Sequence, residues 1–215
     1  MDTLIGSVPD DWQTRRLDEC CDVRPGPSGS TLRSSAYVIG GVPVVKAGDI
    51  SPEGINPSVS VDEKTAERLR PAYGLSPGDI VLVRIGRTTR HAMVPEGQER
   101  WLLGGSCIRI RATQDISADY LACYLTHPAV QEWLTEYTQR GVLPTLNGHK
   151  LSAMPLVLPP PAVQQGIAEI ARAIDTKIRA HKDVIQATRT LRELLIPQML
   201  TGNPVLPEAN VSRDA

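Results

Sequence analysis

Basic and hydroxyl side chains are concentrated in one short segment that follows an apolar run ending near Val83. The segment contains Arg84, Arg87, Thr88, Thr89, Arg90 and His91. An arginine donates paired hydrogen bonds to a guanine edge or a phosphate, and a threonine contacts a phosphate or a thymine methyl group. A hairpin tip presents such side chains outward, so the segment is predicted to contact duplex DNA. A solvated outer edge of a strand is the alternative.

A second cluster of donors lies in the stretch 140–150, which contains no acidic residue. Its candidate contacts are Arg140, Thr145, Asn147, His149 and Lys150. The amide of Asn147 matches an adenine edge, but Asn147-Gly148 is equally a plain turn signal, and both interpretations stay open. Lys46, which follows the apolar run Val42–Val45, is a further predicted contact.

The sequence offers little for catalysis. The four cysteines, at positions 20, 21, 107 and 123, form no C-x-x-C pair and have no histidine at a metal-ligand spacing. No glycine-rich cofactor loop or Walker motif is present. A degenerate nuclease pattern combines Asp10 with Asp62-Glu63-Lys64, but the latter reads as a charged helix. We therefore predict no catalytic residue, no metal site and no cofactor of the chain's own.

Composition narrows the class of protein. The chain has 215 residues, of which 41% are hydrophobic, 22% charged and 4% aromatic, with no Phe. Scarce aromatic residues argue against a single-strand binder, which stacks bases on aromatic rings. Net charge is −1, but six Arg against two Glu give residues 82–111 a local excess of positive charge. No apolar run is long enough to span a membrane and no signal peptide is visible, which predicts a soluble, cytoplasmic protein.

The order of apolar runs and turn residues predicts an α+β domain over residues 1–160. Strands are expected at Val42–Val45, 79–83, 107–110 and 156–158, where short apolar runs are bounded by Gly or Pro. A helix over 61–69 is expected to stop at Pro71. The stretch 118–140 predicts one longer helix or two short ones broken near Pro128.

A long helix is predicted over residues 161–200, followed by a frayed tail over 201–215. Residues 162–196 contain no Pro and only one Gly. One apolar face recurs at spacings of three and four, and it is interrupted by Lys177, His181 and Thr188. Its predicted interface residues are Ile167, Ile170, Ile174, Ile178, Val184, Leu191 and Leu195. Such a helix needs a partner helix, unless it folds back onto its own domain, which the run Pro159–Pro161 disfavours.

Six segments, in order along nearly the whole chain, resemble those of the specificity subunits of type I restriction–modification systems. They are Pro9–Trp12 with Leu17, Gly41–Ile50, Leu75–Gly86, Tyr120–Leu134, Leu158–Ile167 and Leu194–Gly202. Each segment alone is weak, but their shared order is specific. The chain departs from the family at Gln164, where Glu is usual, and at Arg87–Arg90, where a Gly is common.

The resemblance implies a non-catalytic subunit that reads a bipartite site in double-stranded DNA. Complete members are about twice as long, with two recognition domains and two long helices. This chain therefore resembles a half-subunit that pairs with itself or with another half through an antiparallel coiled coil. The implied partners are a modification subunit, which would hold the S-adenosylmethionine, with or without a restriction subunit.

Two other functions remain open from the sequence. One is a helix-mediated interaction protein, for instance a regulator that blocks a restriction enzyme. The other is an autonomous nuclease built on the degenerate acidic pattern. Salt-sensitive binding to duplex DNA would disfavour the first alternative, and the absence of Mg²⁺-dependent cutting would disfavour the second.

Overall fold

The computed structural model describes residues 1–139 and 141–201 and divides into two units. The first unit is Met1–Glu169, and the second begins at Ile170. The long helix begins at Pro161, and its first nine residues belong to the first unit. The predicted α+β domain followed by one long helix is confirmed. Arg140 and, apart from Thr201, the predicted tail lie outside the described residues.

The strands are mostly short. They are β1 (Asp2–Thr3), β2 (Gly6–Ser7), β3 (Gln13–Arg16), β4 (Cys21–Pro25), β5 (Tyr37–Val38), β6 (Val42–Val45), β7 (Ile50–Ser51), β8 (Gly54–Ile55), β9 (Val59–Val61), β10 (Ile80–Val83), β11 (His91–Met93), β12 (Leu102–Leu103), β13 (Cys107–Ala112), β14 (Thr138–Gln139), β15 (Thr145–Leu146) and β16 (Pro155–Leu158). The four strands expected from the sequence appear as β6, β10, β13 and β16.

The helices are α1 (Leu17–Cys20), α2 (Glu63–Tyr73), α3 (Ala118–Thr126), α4 (Pro128–Glu136), α5 (Gly148–Ser152) and α6 (Pro161–Leu200), with 3₁₀ turns at Ser34–Ala36 and Ala47–Asp49. Two short helices broken near Pro128 are confirmed, because His127 caps α4 and Pro128 occupies its first turn. The expectation that Pro71 stops α2 is wrong. Proline loses only one hydrogen bond and keeps a helical φ, so the last turn continues to Tyr73.

A four-stranded antiparallel sheet in the order β11-β10-β13-β4 lies at the centre of the first unit. Strand β10 is buried on both faces. Ile80 and Leu82 face one core with α3 and α4, and Val81 and Val83 belong to a second core with β6 and β12. Burial on both faces explains the uninterrupted apolar run of this strand. A second sheet has the order β12-β6-β9-β5, with β12 parallel to β6.

The first turn of α6 is anchored to the first unit through Gln164. Its Oε1 accepts a hydrogen bond from the Ser117 N–H at 2.9 Å, and its Nε2 donates to the Pro159 carbonyl at 3.0 Å. A glutamate, which is usual here in the family that the sequence resembles, could not make the second bond at neutral pH. Ile167 packs against the core of the first unit, so this residue is not free to serve only an interface between chains. None of the described helices is long and apolar enough to cross a membrane.

Candidate nucleic-acid interface

Five strand ends meet around Ser106, between β12 and β13. The Ser106 carbonyl accepts from the Arg84 N–H at 2.8 Å, just after β10, and its Oγ accepts from the Ala47 N–H at 2.9 Å, just after β6. The Gly104 N–H donates to Val45 at 2.8 Å, and the Gly26 N–H donates to Cys107 at 2.9 Å, which adds the end of β4. The loops leaving these strands therefore emerge together.

Gly26 and Gly104 permit the close approach of backbones at this point. A Cβ on Gly26 would collide with the Gly104 carbonyl oxygen, and a Cβ on Gly104 would lie 2.5 Å from the Val45 carbonyl oxygen. Neither glycine has a positive φ, so glycine is needed at these positions because it has no side chain and not because of its backbone conformation. No sequence motif drew attention to Ser106, and only its contacts in the fold reveal its linking position.

The segment 84–90 forms the predicted hairpin tip. Strands β10 and β11 pair antiparallel with Leu82 opposite His91, and the Val83 N–H donates to the Arg90 carbonyl at 2.8 Å. The turn bends at Gly86, whose φ of +100° is strained for any residue with a side chain. We call residues 84–90 the arginine loop.

The second predicted cluster lies directly beside the arginine loop. The Gly86 N–H donates to the Pro144 carbonyl at 2.8 Å, and the Leu146 N–H donates to the Arg84 carbonyl at 2.8 Å. We call residues 141–147 the proline loop. Neither loop contains an acidic residue.

Several predicted contacts are accessible on these loops or beside them. Arg87 is exposed, as are His149 and Lys150 on α5, while Arg84 is half-buried. Arg90 is half-buried and donates to the Ile50 carbonyl at 3.4 Å. Lys46 is also half-buried, with Nζ 5.4 Å from the centre of the Tyr37 ring, a cation–π distance.

Thr88 is buried within the fold and is therefore not available for the predicted DNA contact. Its side chain is only 5% exposed, and its Oγ1 lies 2.7 Å from Oγ1 of Thr138 on β14. Thr138 Oγ1 donates its own hydrogen to the Leu134 carbonyl at 2.6 Å. Thr88 must therefore be the donor in the hydroxyl pair, which joins the arginine loop to β14 instead of facing a ligand.

His91 is likewise engaged inside the fold. Its Nδ1 lies 3.3 Å from the Thr89 carbonyl, and its Nε2 lies 3.2 Å from the Ala122 carbonyl on α3. Burial lowers the pKa of His91, an effect that the two carbonyl contacts oppose only in part. The neutral ring has one N–H, so it donates to one of these carbonyls at a time. His91 is half-buried, and its contact with DNA stays a prediction.

The remaining polar candidates hold the loops in shape. Thr89 is half-buried, and its carbonyl accepts from Gln131 Nε2 at 3.3 Å. Thr145 Oγ1 donates to the Leu143 carbonyl at 3.0 Å. Asn147 is exposed and caps α5, because its Oδ1 accepts from the His149 N–H at 2.9 Å. That bond uses one of the two lone pairs of the oxygen, and it favours the structural interpretation of Asn147.

Half of the arginines in the basic stretch 82–111 are neutralised within the fold. Arg109 is buried, pairs with Asp22 and donates to the Gly74 carbonyl at 3.0 Å. Arg111 makes two bonds of 2.6 and 2.7 Å with Asp79. Arg100 pairs with Glu63 at 2.6 Å. The positive surface is thus narrower than the sequence suggested, and it is centred on the arginine loop.

The acids considered for a nuclease are held apart by structural contacts. Asp10 pairs with the N-terminal amine at 3.2 Å, and Asp62 caps α2 by accepting from the Thr65 N–H at 2.9 Å. Glu63 and Lys64 lie on α2, as expected. Within residues 1–139 and 141–201, no three His, Cys, Asp or Glu side chains are grouped to hold a metal ion. Burial raises the pKa of Cys107 to about 12, so this thiol is not a nucleophile at neutral pH.

Residues 9–188, most of the domain and of α6, match the type I restriction modification DNA specificity domain. The chain belongs to this family. The predicted family is therefore confirmed, and the candidate interface described above lies within the matched residues.

Similarity to individual members of the family is distant but extensive. The chain is 24% identical over 205 residues to a putative type I restriction enzyme MjaX specificity subunit of Methanocaldococcus jannaschii, covering 93% of this chain. Its fold is similar to that of the HsdS subunit of Thermoanaerobacter tengcongensis, with a TM-score of 0.62 and 19% identity over 83% of this chain. It is also similar to a type I restriction-modification S subunit of M. genitalium, with a TM-score of 0.64 and 13% identity over 92%.

The chain spans about half the length of these relatives. It covers 48% of the M. jannaschii protein, 41% of the T. tengcongensis chain and 48% of the M. genitalium chain.

Proposed function

We propose that this chain reads a specific sequence in duplex DNA and directs a partner methyltransferase to it, without doing chemistry on the DNA itself. The family match over residues 9–188 supports the class of function. Proteins of similar fold include an HsdS subunit and the S subunit of a type I restriction-modification system. In this proposal the S-adenosylmethionine is held by the modification subunit, with or without a restriction subunit in the assembly.

The observation that carries the proposal is the junction of the arginine loop with the proline loop. Backbone hydrogen bonds from Gly86 to Pro144 and from Leu146 to Arg84 fix the two loops side by side. Arg87 is exposed on the arginine loop, and the proline loop beside it leads into α5, which carries exposed Lys150. A guanidinium held on a fixed loop suits bidentate pairing with a guanine edge, whereas the flexible ammonium of Lys150 suits a phosphate.

We further propose that α6 pairs with α6 of a second copy, in antiparallel orientation. From Ile170 onward, large apolar side chains on this helix are exposed. Among the predicted interface residues these are Ile170, Ile174, Ile178, Val184 and Leu191. A helix with this much apolar surface in water gains stability by covering it with a partner helix.

One antiparallel register matches the apolar face to itself and pairs two of its three polar interruptions with each other. In that register the layers are Ile170 with Leu195 of the second copy, Ile174 with Leu191, Lys177 with Thr188, and His181 with Val184. The one long cation of the seam then faces a hydroxyl that accepts its hydrogen bond, and the outer layers are wholly apolar. Ala173, Ala180 and Ala187 recur every seven residues beside the seam and allow close approach of the two helices. This self-complementarity favours a homodimer over pairing with a different half.

A homodimer would present two identical reading surfaces related by a two-fold axis. Its DNA target would then have two related half-sites separated by a spacer, because the symmetry of the protein is imposed on the site.

The test is binding of the full chain to a randomised 30-base-pair duplex library at several salt concentrations. We expect selection of a recurring bipartite sequence, with affinity that falls as salt rises. Failure to bind duplex DNA at low salt would overturn the proposal and leave a helix-mediated interaction protein as the better account.

A further inference from the structure

Two aliphatic side chains stand in solvent at the tip of the hairpin formed by β14 and β15. Val142 is 102% exposed and Leu143 is 67% exposed. They belong to the proline loop, next to the arginine loop that carries the DNA-reading proposal. Solvent-exposed apolar side chains contribute no hydrophobic stabilisation to the free chain, so their burial in a complex would explain why they are present.

The tip is shaped by hydrogen bonds on both sides. Strands β14 and β15 pair with Thr138 opposite Leu146 and Gln139 opposite Thr145. The Leu143 carbonyl accepts from Thr145 Oγ1 at 3.0 Å, and the Pro144 carbonyl accepts from Gly86. The two aliphatic side chains are therefore presented from a loop tied to the rest of the surface.

The surroundings indicate what kind of partner the tip fits. Arg84 and Arg87 lie on the loop bonded to it, and neither loop contains an acidic side chain. Two aliphatic side chains are also far too small for a stable protein interface, which buries at least about 1,000 Å². The space between two stacked base pairs is apolar, and it is flanked by two phosphate chains. A duplex therefore matches an apolar tip that lies beside arginines.

We propose that Leu143, supported by Val142, is a wedge that enters between base pairs of the duplex held by the arginine loop. The inference rests on the proposed function and deepens it. Leucine is among the side chains that proteins insert between base steps, which unstacks the step and kinks the duplex. The cost of unstacking is lowest at pyrimidine–purine steps, so the wedge adds sequence preference at a step that is read without hydrogen bonds.

The test compares Leu143→Ser with a matched control, Ile39→Ser. Ile39 is 104% exposed and lies in another loop, between β5 and β6, outside the arginine and proline loops. Both substitutions remove an exposed aliphatic group, so neither is expected to affect folding. The probe is a duplex selected by the full wild-type chain from the randomised library, labelled at its two ends for energy transfer. Permanganate oxidation of the same duplex marks unstacked thymines.

Wild type and Ile39→Ser are expected to shorten the end-to-end distance of the bound duplex equally. Leu143→Ser is expected to bind about tenfold more weakly and to leave the duplex straight, because the wedge is gone. Wild-type bending and affinity in Leu143→Ser would overturn the wedge while leaving the proposed function intact. If the wild-type chain selects no duplex at all, the proposed function and the wedge both fail.

Discussion

Replacing Ile174 by Asp is expected to convert the dimer of this chain into monomers. In the proposed register Ile174 faces Leu191 of the second copy, and the two-fold axis creates this layer twice. A single substitution therefore places two carboxylates in the seam. The matched control is Gln186→Asp, which adds the same charge two residues after Val184, about 200° around the helix and away from the seam.

The magnitude follows from the surface that the helix leaves open. Ile174 is 53% exposed and Leu191 is 55% exposed, so about half of each side chain remains to be covered by a partner. Covering half of an isoleucine contributes about 1 kcal/mol, and burying a carboxylate in its place costs about 1–3 kcal/mol more. Two layers then give a loss of at least about 4 kcal/mol, or roughly a thousandfold increase in the dimer dissociation constant.

Light scattering after size-exclusion chromatography, at micromolar concentration, measures this directly. The wild type and Gln186→Asp should elute as dimers and Ile174→Asp as a monomer. A monomeric wild type would refute the pairing of α6, and a dimeric Ile174→Asp would refute the register.

Three further outcomes are expected. Arg87→Ala should relax sequence preference at one base pair at a cost of about 1–3 kcal/mol, whereas Lys150→Ala should weaken binding to all duplexes alike and lower the salt slope by about one. Binding affinities measured on selected and scrambled duplexes across a salt series separate the two effects. Unchanged affinities in both variants would mean that neither residue contacts the DNA. Thr88→Val removes the hydrogen bond to Thr138, so it should lower the free energy of unfolding by about 1 kcal/mol in urea titrations and leave the affinity for DNA unchanged. A loss of DNA affinity in a fully folded variant would show that Thr88 contacts the DNA. Burial lowers the pKa of His91 below its usual 6.5, so the unfolded chain binds the proton more readily than the folded chain does. The free energy of unfolding should therefore fall as the pH drops through 6.5. If the urea midpoint of His91→Gln has the same pH dependence as that of the wild type, His91 is not the cause.

The parts of the fold set by neighbouring residues were predictable from the sequence. The apolar run Ile80–Val83 and the glycine at position 86 together indicate a strand and a turn, and the structure has both. The break between α3 and α4 follows from Pro128, and the length of α6 follows from the absence of proline over residues 162–196. The order of six weak motifs was sufficient to predict the family.

The parts that depend on distant residues were not predictable. Arg109 is neutralised by Asp22, 87 positions away, and Arg111 by Asp79, 32 positions away. Thr88 is buried by its bond to Thr138, 50 positions away. A count of charges along the chain cannot reveal such pairs, so it overstated the basic surface. The neighbours across strands β4, β10 and β13 would have been needed to predict these ion pairs.

We propose that this chain supplies sequence recognition to a methyltransferase that lacks it. The most direct measurement combines the chain with the modification subunit from the same genome, S-adenosylmethionine and unmethylated genomic DNA, and maps the methylated bases by sequencing. We expect methylation at one recurring two-part sequence, none when either protein is omitted, and an altered sequence with Arg87→Ala. Methylation by the chain alone, or the same methylated sites in its absence, would contradict the account.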